Sequence, residues 1–391
     1  MTGTPLRIGF IPLVDASALI VAVDKGFTAD EGLDVTLVRE VSWSNVRDKL
    51  NIGLFDAAHL LAPVAIASSL GLAQVKVPIV APFNLGINGN AITVTNALHA
   101  AIMGELDGDP SDPLATANAL ARVVAARRRR GEDQLTFGMT FPFSTHNYQL
   151  RFWMASGGVD PDEDVRLVVL PPPYMAESIY NGHVDAFCVG APWNSIAVDL
   201  GIAHILHFVA DILTRAAEKV LAVREPWARD NAETVEKLVR AHQRAADFIE
   251  SPDHREEASV ILSKPERIGV DPEVILRTLT GRLKVSPDGA YRESSRYLLV
   301  GREGAGRPDP VQAAWLYAQM VRWGQAPLKQ ELLLTAQRVF RPDLYDAATG
   351  HTTGVGFTGD HVGEFTGQPF DPAELERYLS AFSIRRDGNI L

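Results

Sequence analysis

From Leu6 to Ala81 the chain alternates short apolar, strand-like runs with helical segments, and this alternation constrains its fold more than any single motif. Strand character is read over 6–13, 33–38, 56–60 and 77–81. Helical character is read over 16–23, 42–52 and 63–70. Gly26 follows the first helical run as a C-cap. Leu33-Asp34-Val35-Thr36-Leu37-Val38 alternates with the period of a strand. A βαβαβα order of this kind builds a mainly parallel sheet with helices on its faces.

The pattern pauses and then restarts. Residues 92–95 read as a strand leaving the first unit, and residues 107–112 as a polar loop. Residues 114–130 read as a helix ending in four arginines, Arg127 to Arg130: either a solvated helix end favoured by the macrodipole or a partner-docking patch. Strands over 135–140, 165–170 and 185–189 and helices over 145–156 and 175–181 form a second series. The chain returns through an apolar strand at 219–224 and becomes largely helical, most clearly over 231–250. The Gly/Thr-rich stretch 349–367 reads as an ordered surface loop. The expected organisation is α/β with two lobes. Residues 1–94 and 218–391 form a discontinuous first lobe, residues 95–217 an inserted second lobe, and two strands make the hinge. Ligands in such sheets bind beyond the strand C-termini, where helix N-termini point.

Composition narrows the function. A chain of 391 residues with 46% hydrophobic and 22% charged residues suits two or three soluble units. A formal net charge of -11 argues against a molecule-wide nucleic-acid surface, while leaving room for a small anion site governed by its local field. Cys188 is the single cysteine, which excludes an internal disulfide and any cysteine-rich metal or iron–sulfur site. It reads as an inert core residue. Neither a secretory leader nor a membrane span is read in the sequence, so the expected location is cytoplasmic, with no membrane contact. No Ser-His-Asp arrangement, P-loop or metal-ligand cluster is visible, and no cofactor is expected. Gly301 to Gly306 is glycine-rich but lacks a preceding βαβ unit, so it reads as a loop.

Five strings fall at strand-to-helix turns or beside the hinge. In Ser42-Trp43-Ser44-Asn45, Trp43 opens a helix; its indole either packs on the sheet or donates into a cleft. Asn84-Leu85-Gly86-Ile87-Asn88-Gly89-Asn90 is either a simple Asn-Gly turn or a source of neutral amide donors. In Phe143-Ser144-Thr145-His146-Asn147, Ser144 or Thr145 caps a helix. His146 then sits in its first turn, as a structural group or an anion ligand. In Cys188-Val189-Gly190-Ala191-Pro192-Trp193, Gly190 allows backbone N–H groups to approach a ligand. Lys219 opens the return strand, either facing solvent or supplying the countercharge that a buried anion needs.

Taken together, these strings resemble the nitrate- and bicarbonate-binding proteins of ABC transporters. The resemblance runs from Leu6-Arg7-Ile8-Gly9-Phe10 to the helices beyond Lys219. It is closest in Gly157-Gly158-Val159-Asp160-Pro161-Asp162, Pro171-Pro172-Pro173 and Asp185-Ala186-Phe187-Cys188-Val189-Gly190-Ala191-Pro192-Trp193. It implies a type II periplasmic-binding-protein-like fold, each lobe a mixed, mostly parallel sheet flanked by helices. It implies a binding function, not an enzymatic one. The pyrimidine-precursor synthases that share the fold need a cysteine-rich iron motif that this chain lacks. The family's oxyanion pocket maps onto Trp43, Asn90, His146, Val189, Gly190 and Lys219. A lysine at 219 marks nitrate-type members, whereas bicarbonate-type members carry an acid there and use calcium, so nitrate or nitrite is the implied ligand. The Gly86–Val94 stretch, together with the absent leader, is similar to a cytoplasmic nitrate sensor of assimilation operons, whose implied partner is an RNA-binding antiterminator. The transporter's solute-binding component is the alternative.

Overall fold

The computed structural model describes residues 3–72, 75–350, 357 and 359–386. Thirteen strands occur among them: β1 (Thr4–Phe10), β2 (Leu33–Arg39), β3 (Ala57–Leu61), β4 (Ile79–Asn88), β5 (Asn90–Thr95), β6 (Thr136–Met139), β7 (Arg166–Val169), β8 (Ala186–Gly190), β9 (Ala203–Phe208), β10 (Ala217–Arg224), β11 (Arg282–Lys284), β12 (Tyr291–Glu293) and β13 (Leu298–Leu299). Six of them form one sheet in the order β13-β4-β10-β3-β1-β2, and five form a second in the order β7-β6-β8-β5-β9. Each sheet is mixed. β1 runs parallel to β2 and β3, and β6 runs parallel to β7 and β8. The returning strands β10 and β5 are antiparallel to their neighbours.

Burial explains the sequence pattern of the central strands. β3 and β4 are buried at every residue, and β10 at all but its last, because helices cover both faces. The helices Ser17–Asp24 and Ala232–Glu250 pack together on one side. The helices Ala62–Leu70 and Pro310–Arg322 are neighbours on the other. In the second lobe the helices Pro113–Arg130 and Thr145–Ser156 pack together. Of the four terminal arginines, Arg127 and Arg130 pair with Glu132, and Arg128 pairs with Asp164. This is the arrangement of a solvated helix end with three of its four arginines ion-paired, capped by left-handed Gly131.

The structure moves one boundary. The strand read at 92–95 was assigned to the end of the first lobe, with the division at 94/95. Instead, β5 pairs along its whole length with β8 and β9 in the second sheet. The chain leaves the first sheet at Asn88-Gly89, both with positive φ (62° and 91°). Those two residues kink one nearly continuous strand into β4 and β5, so the crossing precedes β5 instead of following it. β9 had no counterpart in the sequence reading, because His204 and His207 interrupt its apolar character. Its strand state depends on pairing with β5 and on Ile205 N–H donating to Val285 O (2.9 Å). The surface loop read at 349–367 falls partly on 351–356 and 358, outside the described residues. Glu364, at its far end, makes a bridge to Leu213.

Asn88 holds the two crossing segments together. Its amide donates to Thr214 O (2.9 Å) and Arg296 O (3.0 Å), and its Oδ1 accepts from Ala216 N–H (2.8 Å). Asparagine tolerates the left-handed backbone that this position requires. Asn88→Ala removes all three bonds and adds strain, and should cost on the order of 3 kcal/mol. Asn88→Gly should recover only the backbone part. Urea denaturation of the two variants beside the parent chain checks the ranking.

Candidate functional site

The cleft residues come from the ends of both sheets. Ser42 Oγ caps the helix Trp43–Asn51 by accepting from Asn45 N–H (3.3 Å). Ser144 Oγ caps the helix Thr145–Ser156 in the same way, accepting from Asn147 N–H (3.1 Å). Trp43 and His146 therefore stand in the first turns of two helices, one in each lobe, where exposed N–H groups favour negative charge. β6 pairs with β8 only at Ala186 and Phe187, so Gly190 lies beyond that ladder, at a switch point of the second sheet.

Lys219 is the centre of this region. It is fully buried, as are Glu218 and His146, and Asp15 and Trp43 are nearly so. The Lys219 ammonium lies 2.9 Å from Asp15 Oδ2 and 2.8 Å from Glu218 Oε1, and 5.3 Å from the centre of the Trp43 ring. Burial pulls the ammonium's pKa down, but the two carboxylates outweigh it and leave the pKa raised. Burial likewise pushes Asp15 up, but Lys219 and His59 hold it at about 2. His59 Nε2 lies 2.9 Å from Asp15 Oδ1, and its Nδ1 accepts from Ile11 N–H (3.4 Å). This is the pattern of a neutral ring whose Nε2–H donates to Asp15, and burial lowers its pKa accordingly.

From the second lobe, His146 Nδ1 lies 3.0 Å from Thr140 Oγ1 and 3.3 Å from Glu218 Oε1. Its Nε2 is buried without a hydrogen-bond partner. Burial, reinforced by Lys219, lowers its pKa to about 4 against the pull of Glu218. Asn90 Nδ2 donates to Gln149 Oε1 (3.3 Å). Asn90 Oδ1, Gln149 Nε2 and Trp43 Nε1 are also buried without partners. A Cβ on Gly190 would sit 3.2 Å from Asp15 Oδ2 and 3.3 Å from Asn90 Oδ1, so only glycine lets this backbone reach the cluster without displacing a neighbour. Val189 is buried beside it, and its carbonyl accepts from Asn194 Nδ2 (2.8 Å). Cys188 is buried, and burial pushes its thiol well above the usual range.

Trp43, Asn90, His146, Gly190 and Lys219 therefore face one region, with Val189 in the adjoining strand. Sequence reasoning missed Asp15, Glu218, Gln149 and Thr140. Asp15 stands just before the helical run read at 16–23, and nothing local marks it as an ion-pair partner. Gln149 lies three residues after His146, hence on the same helix face, and that spacing was its one available signal. Four orphaned polar atoms around an ammonium are costly in a dry interior and mark a place for a polar ligand. Among the described residues no group of three His, Cys, Asp or Glu side chains is placed to hold a metal ion.

Two mixed α/β lobes, joined by two crossing segments and facing each other across a charged cleft, define a periplasmic-binding-protein fold. The chain belongs to the NMT1-like family, which matches residues 2–263. It is 33% identical to the nitrate import ATP-binding protein NrtC of Synechocystis over 98% of its own length and 56% of that protein. It is 30% identical to the bicarbonate transport ATP-binding protein CmpC of Synechococcus elongatus, with the same two coverages. The chain thus spans little more than half of these curated relatives. The crystal structure of the periplasmic nitrate-binding protein NrtA from Synechocystis superposes with a TM-score of 0.88 at 26% identity, covering 98% of this chain and 99% of that one. No described helix is long and apolar enough to cross a membrane.

The buried imidazole has a measurable consequence. Between about pH 6.5 and 4 an unfolded chain protonates residue 146 while the folded, ligand-free chain does not. The unfolded state then binds more protons, so His146 lowers stability as pH falls through this window. His146→Gln removes this term. Its stability relative to the parent should improve by about 2 kcal/mol from pH 7 to pH 4.5, measured by urea denaturation in anion-poor buffer.

Proposed function

We propose that this chain binds nitrate or nitrite in the cleft between its lobes and acts by closing on it, not by catalysis. The observation that carries the reading is the buried ammonium of Lys219, ringed by the partnerless donors of Trp43 and Gln149 and by His146. Nitrate is planar with three equivalent acceptor oxygens, so donors converging from both lobes suit it. Val189 and Gly190 bring backbone to the same place, and Asn90 orients Gln149. The names of NrtC and NrtA, and the lysine at 219, favour nitrate over the bicarbonate of CmpC.

Lys219→Gln keeps a donor but removes the charge. It should weaken nitrate binding at least about 30-fold in calorimetry, the scale of one charge-assisted hydrogen bond. Thermal melting would confirm that the variant folds, and unchanged affinity in a folded variant would take Lys219 out of the site.

For the role of binding we favour a cytoplasmic nitrate sensor that governs an RNA-binding antiterminator, supported by the Gly86-Ile87-Asn88-Gly89-Asn90 stretch. The ligand would bias the lobe arrangement, and a partner preferring one arrangement would be released or captured. A second reading, the solute-binding component of a nitrate importer, is supported by the transport proteins among the relatives. The sensor reading requires a protein partner that dissociates when nitrate is added. The importer reading requires that the nitrate-loaded chain stimulate ATP hydrolysis by a membrane transporter from the same cell.

A further inference from the structure

The balance of charge around Lys219 is the wrong sign for an anion site. One ammonium faces two carboxylates, Asp15 and Glu218, with both nearby imidazoles neutral, a formal balance of one negative charge. Adding a monoanion to this buried region doubles the uncompensated negative charge. His146 presents a second obstacle. Its Nδ1 faces a carboxylate oxygen of Glu218 at 3.3 Å as well as the Thr140 hydroxyl at 3.0 Å. That surrounding favours the proton on Nδ1, because a bare Nδ1 lone pair would point at a carboxylate. The other nitrogen, Nε2, then turns a lone pair towards the cleft, where it repels an anion's oxygen.

Both obstacles are removed by one event. We infer that the anion is taken up together with one proton, which His146 Nε2 receives and then donates to the bound anion. The inference rests on the reading of the cleft as a nitrate or nitrite site. The imidazolium would be held by Glu218 on its Nδ1 side and by the anion on its Nε2 side, and the formal balance of the filled cleft returns to that of the empty one. No bond other than that to the proton is made or broken, and the proton comes from solvent. The other groups that bear on this imidazole are Glu218 and Lys219 from β10 and Asp15 from the turn after β1, with His59 behind it; the thiol of Cys188 from β8 faces Gln149. Thr140 and Gln149 are uncharged. Asp15 is a poor seat for the proton, because Lys219 and His59 both hold it ionised.

The test is calorimetric titration with nitrate in buffers of equal pH but different ionisation enthalpy, repeated from pH 6 to pH 8. The expected result is uptake of nearly one proton per nitrate at pH 7.5, with affinity falling about tenfold per pH unit as pH rises. Nitrate binding without proton uptake, at an affinity constant across that range, would overturn the inference while leaving the nitrate reading intact. Absence of nitrate and nitrite binding at every pH would instead remove the nitrate reading itself. In His146→Gln the amide can donate without a proton, so any remaining binding should show no proton uptake. Uptake that persists in that variant would place the proton on a carboxylate and overturn the assignment to His146.

Discussion

The ammonium of Lys219, buried between Asp15 and Glu218, ties the cleft together. Asp15 lies in the turn after β1, and Glu218 and Lys219 lie on the strand that returns from the second lobe. Glu218 then reaches across to His146 at the start of a second-lobe helix. A chain of opposite charges and one imidazole thus crosses the boundary between the lobes. Removing one member leaves another buried charge without its partner, a loss of about 3–5 kcal/mol in comparable settings. The same ammonium is the group an incoming anion needs, so the ligand competes with carboxylates already in place.

The backbone supports this arrangement. Asn88 and Gly89 turn one nearly continuous strand from the first sheet into the second, and Asn88 binds the segment that returns. Beside the crossing, Val14 N–H donates to Ala191 O (2.9 Å) and Thr145 Oγ1 donates to Ala217 O (3.3 Å). Apolar contacts bridge the lobes as well: Phe208 of β9 packs edge-on against Tyr297, with ring centres 4.9 Å apart, and Phe152 packs against Phe365 and Phe382.

Much of this was legible in the chain before folding. The β/α alternation placed helices on the sheet faces, and serine caps placed Trp43 and His146 in first helical turns. That alternation implies mainly parallel sheets, whereas β4, β5, β10 and β13 pair antiparallel with their neighbours. The glycine at 190 and the lysine at 219 were suspect because of what they adjoin. Less was legible where a residue's state depends on a distant partner. Asp15 gave no sign of pairing with Lys219, since nothing local in a sequence records a contact made through a sheet. Glu218 was visible beside Lys219, but strand alternation sends neighbours to opposite faces. Register shifts between β10 and β4 on both sides of Lys219 accompany the departure from that rule. The 94/95 lobe boundary missed because a kinked continuous strand shows no break in its apolar pattern.

A crystal structure of the chain grown with nitrate tests the central claim most directly. The account predicts nitrate between the lobes, with one oxygen about 3 Å from Lys219 Nζ and others near Trp43 Nε1 and the Asn90–Gln149 amide pair. Lys219 still bridging Asp15 and Glu218 in a nitrate-free cleft, with nitrate bound elsewhere on the molecule, would contradict it.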